Sequence, residues 1–600
     1  LFIGIIYSIK QQQNISRKKD IGMEFEHYKK YRDATSPHGE EQFAWPLYGA
    51  GLENLGKGGK PIKQEAPSYK DDELLMRIDA VSLCYTDVKE IDAGESHPRL
   101  TGRNLKERPI IPGHEISFTV VGIGKDLQKE YKIGERFTIQ PDVWIDGKSR
   151  PFCFDLDGGY RQYAKIGKEV LRGDAGNYLI SVPDTMTYAA VAITEPWACV
   201  EAAYRMSYRT QIVNNGKLWI IGCDKTRSNY EIDDLLSGNN LPSEITYSDI
   251  PEDLLTIIKN IAGKNDIKLA EKTIAEIEKS DEKFDDILVL DCSSDIITTA
   301  AIHLNKKGTI AICKADQDEN PVKVDLGRLH YDSIYFVGSD DLNLANAYQK
   351  TKARVNLKTG GITWIVGAGG PMGRMHLQRA IEAKNGPKLI LATELTQGRI
   401  ESMRQFFGPL AQQNSKELII INPQTEEKQY AEVMQRIMDA GGVDDIEVMV
   451  AAAPVVSESM KFSAKNGVVN LFAGLKRGVT AEVNSWLIYG PQQIRFVGHS
   501  GSALDDQKAV VERVVAKELN PVLSVAAVGG FKQISDGILA MKNWKYPGKI
   551  VIYPHIADYP ITALNEFEEK DPEIFSLLGT GNSWTKAAET LFLDKELSNE

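Results

Sequence analysis

The chain has 600 residues, of which 42% are hydrophobic and 26% charged, and its formal charge at neutral pH is −12. That composition excludes a largely disordered chain, and the acidic balance excludes a general nucleic-acid binder. Six cysteines in this length exclude a disulfide scaffold and favour a reducing, cytoplasmic compartment.

Residues 1–22 read as a disordered leader or translated upstream sequence. The apolar run Leu1 to Ile9 is far short of the ~20 residues that span a bilayer. The polar run Gln11 to Asn14 follows it, and the first methionine is Met23. No other stretch approaches a span, so no membrane partner is expected.

Residues 23–210 read as a mostly β domain. Short strand-like segments such as ELLMRIDAVSL (73–83) and HEISFTVVGIG (114–124) are punctuated by turn glycines and prolines. Three motifs within it carry chemistry: LCYTDVK (83–89), PGHE (112–115) and TEPWACV (194–200). Cys84, His114 and Glu195 are competent zinc ligands, and a catalytic site uses three protein ligands plus an open position. Each motif has an ordinary reading as well. A cysteine in a strand is commonly a small core residue, a histidine after Pro-Gly a turn residue, and a Glu-Pro pair the opening of a helix. The loop ESHPRLTGRNLKERP (95–109) gathers His97, Arg99, Arg103, Lys106 and Arg108, either as a solvated basic loop or as a cradle for a sugar phosphate.

A near-repeat follows. GKLWIIG (216–222) matches GITWIVG (361–367), each a β-branched run ending in glycine. FDDILVLDC (284–292), KGTIAICKA (307–315) and DSIYFVGSD (332–340) match DDIEVMVAA (444–452), NGVVNLFAG (466–474) and QQIRFVGHS (492–500) in order and character. Helical segments separate them, which predicts two tandem doubly wound parallel sheets of the Rossmann type, over 211–355 and 356–517.

The second unit carries ITWIVGAGGPMG (362–373). Gly367, Gly369, Gly370 and Gly373 let the backbone approach a pyrophosphate, and Pro371 and Met372 open the helix whose N-terminus faces it. Glu394 ends the next strand, where a carboxylate accepts ribose hydroxyls and repels a 2′-phosphate. This favours NAD(H). Arg399 nearby leaves room for NADP(H). In the first unit, Asp224, Lys225 and Arg227 follow Gly222 and would crowd a pyrophosphate, so that unit is expected to keep the fold without the cofactor. Asp249 reads as a turn residue in preference to a vestige of the ribose acid. Residues 518–600, including GKIVIYPHI (548–556), are expected to return to the β domain.

These motifs together resemble the zinc-dependent medium-chain dehydrogenase/reductase superfamily, on its sorbitol dehydrogenase and sorbose 1-phosphate reductase branch. CYTD (84–87), GHE (113–115), VGIGKDLQKEYKIGERF (121–137), GGYRQYAKI (158–166), EPWACV (195–200), the glycine loop and WTKAAETLFL (584–593) carry the resemblance. It implies a GroES-like catalytic domain in an α/β protein, and a hydride transfer between NAD(P) and a polyol, a ketose or a sugar phosphate. It also implies a small-molecule substrate and a homo-oligomer. By the same resemblance, Cys84 and His114 are zinc ligands, Glu195 is the third, and Glu115 is an alternate ligand. Asp87 orients a ligand, and Thr86 contacts the substrate oxygen and starts a proton relay. Two departures stand out. The stretch 138–157 has Cys153 alone where relatives carry a four-cysteine lobe, so one catalytic zinc and no structural zinc is expected. Val88, Lys89 and Glu90 stand where relatives place a relay histidine. The competing readings are a non-enzymatic scaffold or sensor on this fold, and a zinc-free quinone-type reductase.

Overall fold

The computed structural model describes residues 25–34, 39–206, 209–224, 226–238, 240–318, 320–348, 354 and 356–598. The expected leader (1–22) and Lys225 lie outside the described residues. The chain forms two compact units. One runs to Glu201 and resumes at Ser502; the other is Ala202–Gly501.

In the first unit, β1 (Leu74–Ser82), β2 (Glu115–Ile123), β3 (Arg136–Ile139), β4 (Tyr163–Ile166) and β5 (Leu179–Ser181) come from the first segment. The helices α1 (Tyr85–Ala93) and α2 (Thr194–Ala203) accompany them. All nine residues of β1 are buried, including Arg77 and Asp79, which pair with each other at 2.7 Å.

The second unit is built from β6 (Lys217–Ile221), β7 (Glu244–Ser248), β8 (Lys268–Glu271), β9 (Phe284–Leu290), β10 (Leu304–Cys313), β11 (Val322–Asp325) and β12 (Tyr335–Ser339). The repeat supplies β13 (Ile362–Val366), the helix α3 (Pro371–Glu382), β14 (Leu389–Thr393), β15 (Glu417–Ile421), β16 (Val443–Val448), β17 (Ser463–Leu471), β18 (Thr480–Val483) and β19 (Arg495–Gly498). The chain then returns to the first unit with β20 (Val525–Gly530), β21 (Lys549–Tyr553) and β22 (Thr562–Ala563).

The first unit's main sheet has eight strands, ordered β22-β20-β21-β1-β2-β3-β5, with β4 pairing β1. Its pairings are antiparallel except β20 with β21. The returning segment is integral to it, because Val551 and Ile552 pair Ser82 and Val81. One core joins Ile78, Phe118 and Phe137 to Ala527, Ile550 and Ile552.

The second unit differs from the expected two tandem sheets. A single twelve-stranded sheet runs β8-β7-β6-β9-β10-β12-β19-β17-β16-β13-β14-β15. Each six-strand half is parallel and has the 3-2-1-4-5-6 order of a doubly wound nucleotide-binding fold. The halves join at their last strands, β12 and β19, which pair antiparallel through Phe336 and Phe496. The strands β11 and β18, at equivalent places in the two repeats, also pair antiparallel, from Val322↔Val483 to Asp325↔Thr480. Antiparallel pairing of equivalent elements relates the halves by an approximate two-fold axis. Strand pattern alone does not say which edges will meet, and an exposed sixth strand is open to pairing with any complementary edge. The apolar core crosses the joint without a break, from Trp219 and Phe284 through Phe336 and Phe496 to Trp364 and Leu391.

Candidate active site

Cys84 ends the run-out of β1 and is the N-cap of α1, with Sγ 3.5 Å from the Thr86 N–H. The Asp87 carboxylate folds back one turn. Its Oδ2 accepts the Cys84 N–H at 2.8 Å and the Tyr160 hydroxyl at 2.7 Å, and its Oδ1 lies 3.3 Å from His114 Nδ1. The imidazole is thereby held by one nitrogen, leaving Nε2 for a ligand.

His114 and Glu115 lie at the start of β2, after Gly113. That glycine has a φ of +94°, and a Cβ there would stand 2.5 Å from the Tyr160 ring. Only glycine supplies both the left-handed backbone and the space.

Ligand atoms of Cys84, His114 and Glu115 all lie within 4.8 Å of one another. They form the one metal-competent group of three or more among the described residues. Glu115 is fully buried; its Oε1 pairs with Lys549 Nζ at 2.6 Å, and its Oε2 has no hydrogen-bond partner. Glu195, in the first turn of α2, lies outside that three-residue group but is buried and interacts electrostatically with His114, Glu115 and Lys549. Burial above all, and then Glu115, pushes its carboxyl up to about 7. At His114, burial works to lower the pKa, but the charges of Cys84, Asp87 and Cys153 together raise it well above the usual imidazole value. Lys549 is likewise opposed by burial, and Glu115, Cys84 and Glu195 hold it up at about 12. The cluster therefore gathers thiol, imidazole and carboxylate donors at a largely buried centre. The orphaned Glu115 oxygen, the Cys/His/carboxylate donor set and the imidazole held by Asp87 all fit a zinc ion.

Sequence reasoning missed several neighbours. Lys549 lies 434 residues along the chain from its partner Glu115, and no spacing rule links them. Cys153 is buried with Sγ 3.7 Å from His114 Nδ1, and it adopts a φ of +73°, rare for any residue with a side chain. Glu90 is buried with both carboxylate oxygens unpartnered, and burial, reinforced by Asp87, raises its pKa well above normal. Lys89 is exposed, with Nζ 5.8 Å from the centre of the Tyr85 ring. In the basic loop, Arg103 is spent on the carbonyls of Arg108, Pro109 and Phe154, and Arg99 pairs with Asp142 at 2.8 Å. Arg103 thus ties the loop to itself and to Phe154, and Arg99 ties it to Asp142.

In the second unit, β13 runs into Gly367, whose φ is +79°, and α3 begins at Pro371 with Gly370 as N-cap. A Cβ on Gly370 would meet nothing within 4 Å, whereas one on Gly373 would come within 2.8 Å of the Gly367 carbonyl. The first is open space over a helix N-terminus; the second is close helix–strand packing. Glu394, buried just past β14, accepts the Gly369 N–H at 3.0 Å and the Leu395 and Thr396 N–H groups at 2.9 and 3.1 Å. Arg399 Nη1 stands 3.8 Å from Glu394 Oε2. Pro371 and Met372 are half-buried in the first turn. This loop fits a dinucleotide pyrophosphate.

The equivalent turn after β6 is plugged. No helix lies between β6 and β7 among the described residues. The Arg227 N–H and Nε both donate to Asp291 Oδ2, at 2.9 and 3.0 Å, and the Tyr230 hydroxyl donates to the same oxygen at 2.7 Å. Asp249 is an exposed turn residue with a φ of +50°.

Residues 70–182 match the family model described as the alcohol dehydrogenase GroES-like domain. That stretch holds β1 to β5 with Cys84, His114 and Glu115. Among the chain's relatives is the mannitol-1-phosphate 5-dehydrogenase of Aliivibrio fischeri, 26% identical over 352 residues, covering 54% of this chain and 82% of the relative. The L-sorbose 1-phosphate reductase of Klebsiella pneumoniae is 26% identical over 332 residues, covering 50% of this chain and 78% of the relative. The solved 2R,3R-butanediol dehydrogenase of Bacillus subtilis aligns over 86% of this chain and 99% of its own, at 15% identity and a TM-score of 0.48.

Proposed function

We propose that this chain transfers a hydride between a nicotinamide dinucleotide, NAD(H) in preference to NADP(H), and a polyol or ketose, phosphorylated or free. One zinc ion would be held by Cys84 and His114 with carboxylate from Glu195 or Glu115. The observation that supports it most is the convergence of Cys84, His114 and Glu115 ligand atoms within 4.8 Å around an orphaned, buried carboxylate oxygen. A zinc-free reductase would give Cys84 and His114 no reason to meet.

When bound, zinc supplies Lewis-acid polarisation of the substrate oxygen, and the nicotinamide carries the hydride. The protein's own contribution is positional. Asp87 fixes the His114 ring by Nδ1 and is itself fixed by the Tyr160 hydroxyl and the Cys84 N–H. Lys549 balances the charge of Glu115 and leaves its second oxygen free to ligate. Thr86, half-buried in the first turn of α1, is assigned the contact to the substrate oxygen and the first proton transfer. Gly367, Gly369, Gly370, Pro371, Met372 and Gly373 are assigned to the pyrophosphate, and Glu394 to the ribose hydroxyls, with Arg399 available to a 2′-phosphate.

The test is zinc stoichiometry on the purified chain, followed by a screen of free polyols and ketose phosphates at the NADH absorbance. About one zinc per chain and turnover of at least one class support the reading. Absence of both zinc and NADH binding overturns it in favour of a scaffold. Homo-oligomerisation, also proposed here, is read by sedimentation across protein concentrations.

A further inference from the structure

A cavity of about 710 Å³ opens in the second unit at the N-terminal ends of β9, β10 and β12. Ligands of doubly wound sheets sit at the opposite, carboxyl ends of the strands, so this is not a displaced nucleotide site. Its floor is apolar, made by Ala301, Ile302, Leu304, Ile334 and Phe336. Leu304, Ile334 and Phe336 are fully buried there, while Ile302 is 60% exposed. Gly478 and Thr480 of the other repeat complete the wall, beside the β11–β18 pairing.

The charge around it runs against the molecule's. Lys283, Lys306, Lys323 and Arg328 line the cavity with two acids, Asp325 and Asp332, in a chain whose net charge is −12. Both acids are committed. Asp325 accepts the N–H groups of Arg328 and Gly478 at 2.9 and 2.8 Å. Asp332 is paired with Arg477 at 2.8 Å and Arg328 at 3.3 Å. Arg328 is further spent on the carbonyls of Ala301, Ile302 and Leu304, and Lys283 on that of Ile302. Among the described residues, Lys306 and Lys323 have neither hydrogen bond nor ion pair through their ammonium groups. An apolar floor of this size with a few convergent polar groups is the usual form of a small-molecule pocket.

We infer that this cavity binds a small organic anion with a compact apolar body, its carboxylate or sulfonate at Lys306 and Lys323 and its body on Ile302, Leu304 and Phe336. The probe is 8-anilinonaphthalene-1-sulfonate, titrated by fluorescence against the zinc-loaded full chain before NADH is added. The expected result is one saturable site whose affinity falls about tenfold or more in the Lys306→Glu/Lys323→Glu variant, and by less in Lys306→Gln/Lys323→Gln. Octanoate should compete, and hydrogen exchange should slow at residues 298–306 and 323–328 when the probe binds. Unchanged affinity in the charge-reversed variant overturns the proposal. So does displacement by NADH, which would place the probe on the glycine loop. Equal competition by inorganic phosphate also overturns it, because the apolar floor would then contribute nothing.

Discussion

Cys84 is where chemistry and local structure share one atom, because Sγ caps α1 and also faces His114 and Glu115. Cys84→Ser should lose bound zinc and turnover while NADH affinity holds; metal analysis and NADH fluorescence on one preparation check both. Retained activity without zinc would remove the mechanism proposed here. Another buried residue reports on stability. Glu447 lies within β16, and burial, reinforced by Asp445, pushes its carboxyl up to about 8 from an ordinary 4.5. Between those values the folded chain holds a proton that the unfolded chain releases. The stability linked to this proton is complete below 4.5 and is lost as pH rises through about 8. Glu447→Gln keeps the shape without titrating. Its Tm should therefore fall less than that of the parent between pH 5 and pH 8.5; parallel curves would show that Glu447 is not the group responsible. At this scale, Cys84, His114 and Glu394 were legible in the sequence because each stands beside a glycine, a turn or a strand end whose role is local. Lys549 and Cys153 were not, because their meaning lies in tertiary neighbours with no sequence signal.

At the scale of elements, the two glycine turns make a matched experiment. The turn after β13 keeps open space at Gly370 and a helix behind it; the turn after β6 has Arg227, Tyr230 and Asp291 locked together and, among the described residues, no helix before β7. Gly370→Val should abolish NADH binding by isothermal titration without lowering the Tm by more than a few degrees. Arg227→Ala should leave NADH affinity unchanged. An effect of Arg227→Ala on affinity comparable with that of Gly370→Val would assign the cofactor to the wrong turn. The doubly wound class of each half was readable from the repeat, because apolar runs alternating with helices admit few topologies. The edge-to-edge joint was not, since DSIYFVGSD and QQIRFVGHS would look the same as free edges. Phe336 is buried in that joint opposite Phe496. Phe336→Ala should cost about 3–5 kcal/mol, measured by urea unfolding, while its zinc content stays at the parent level.

For the whole molecule, two halves of the same strand order share one sheet, and among the described residues one of them keeps an open glycine turn. NADH should therefore saturate at one equivalent per chain, by titration at concentrations well above Kd. Two equivalents would show that the plugged turn opens. The first unit is as non-local as the second, since its sheet needs β21 from near the end of the chain against β1 from near the beginning. A truncation after residue 501 would strip β20, β21 and Lys549 from it together.

The covalent link between β12 and β19 also sets how the sheet responds to dilution. Where two separate chains meet along an edge, the contact is lost as protein concentration falls through its dissociation constant, and the apparent Tm falls with it. Here the same kind of edge is closed by 155 residues of intervening chain, from Ser339 to Arg495, so its partner is present at a fixed effective concentration. The core that crosses the joint therefore survives at concentrations where a two-chain version would have come apart, so any fall in Tm on dilution would come from separation of whole chains and not from the joint.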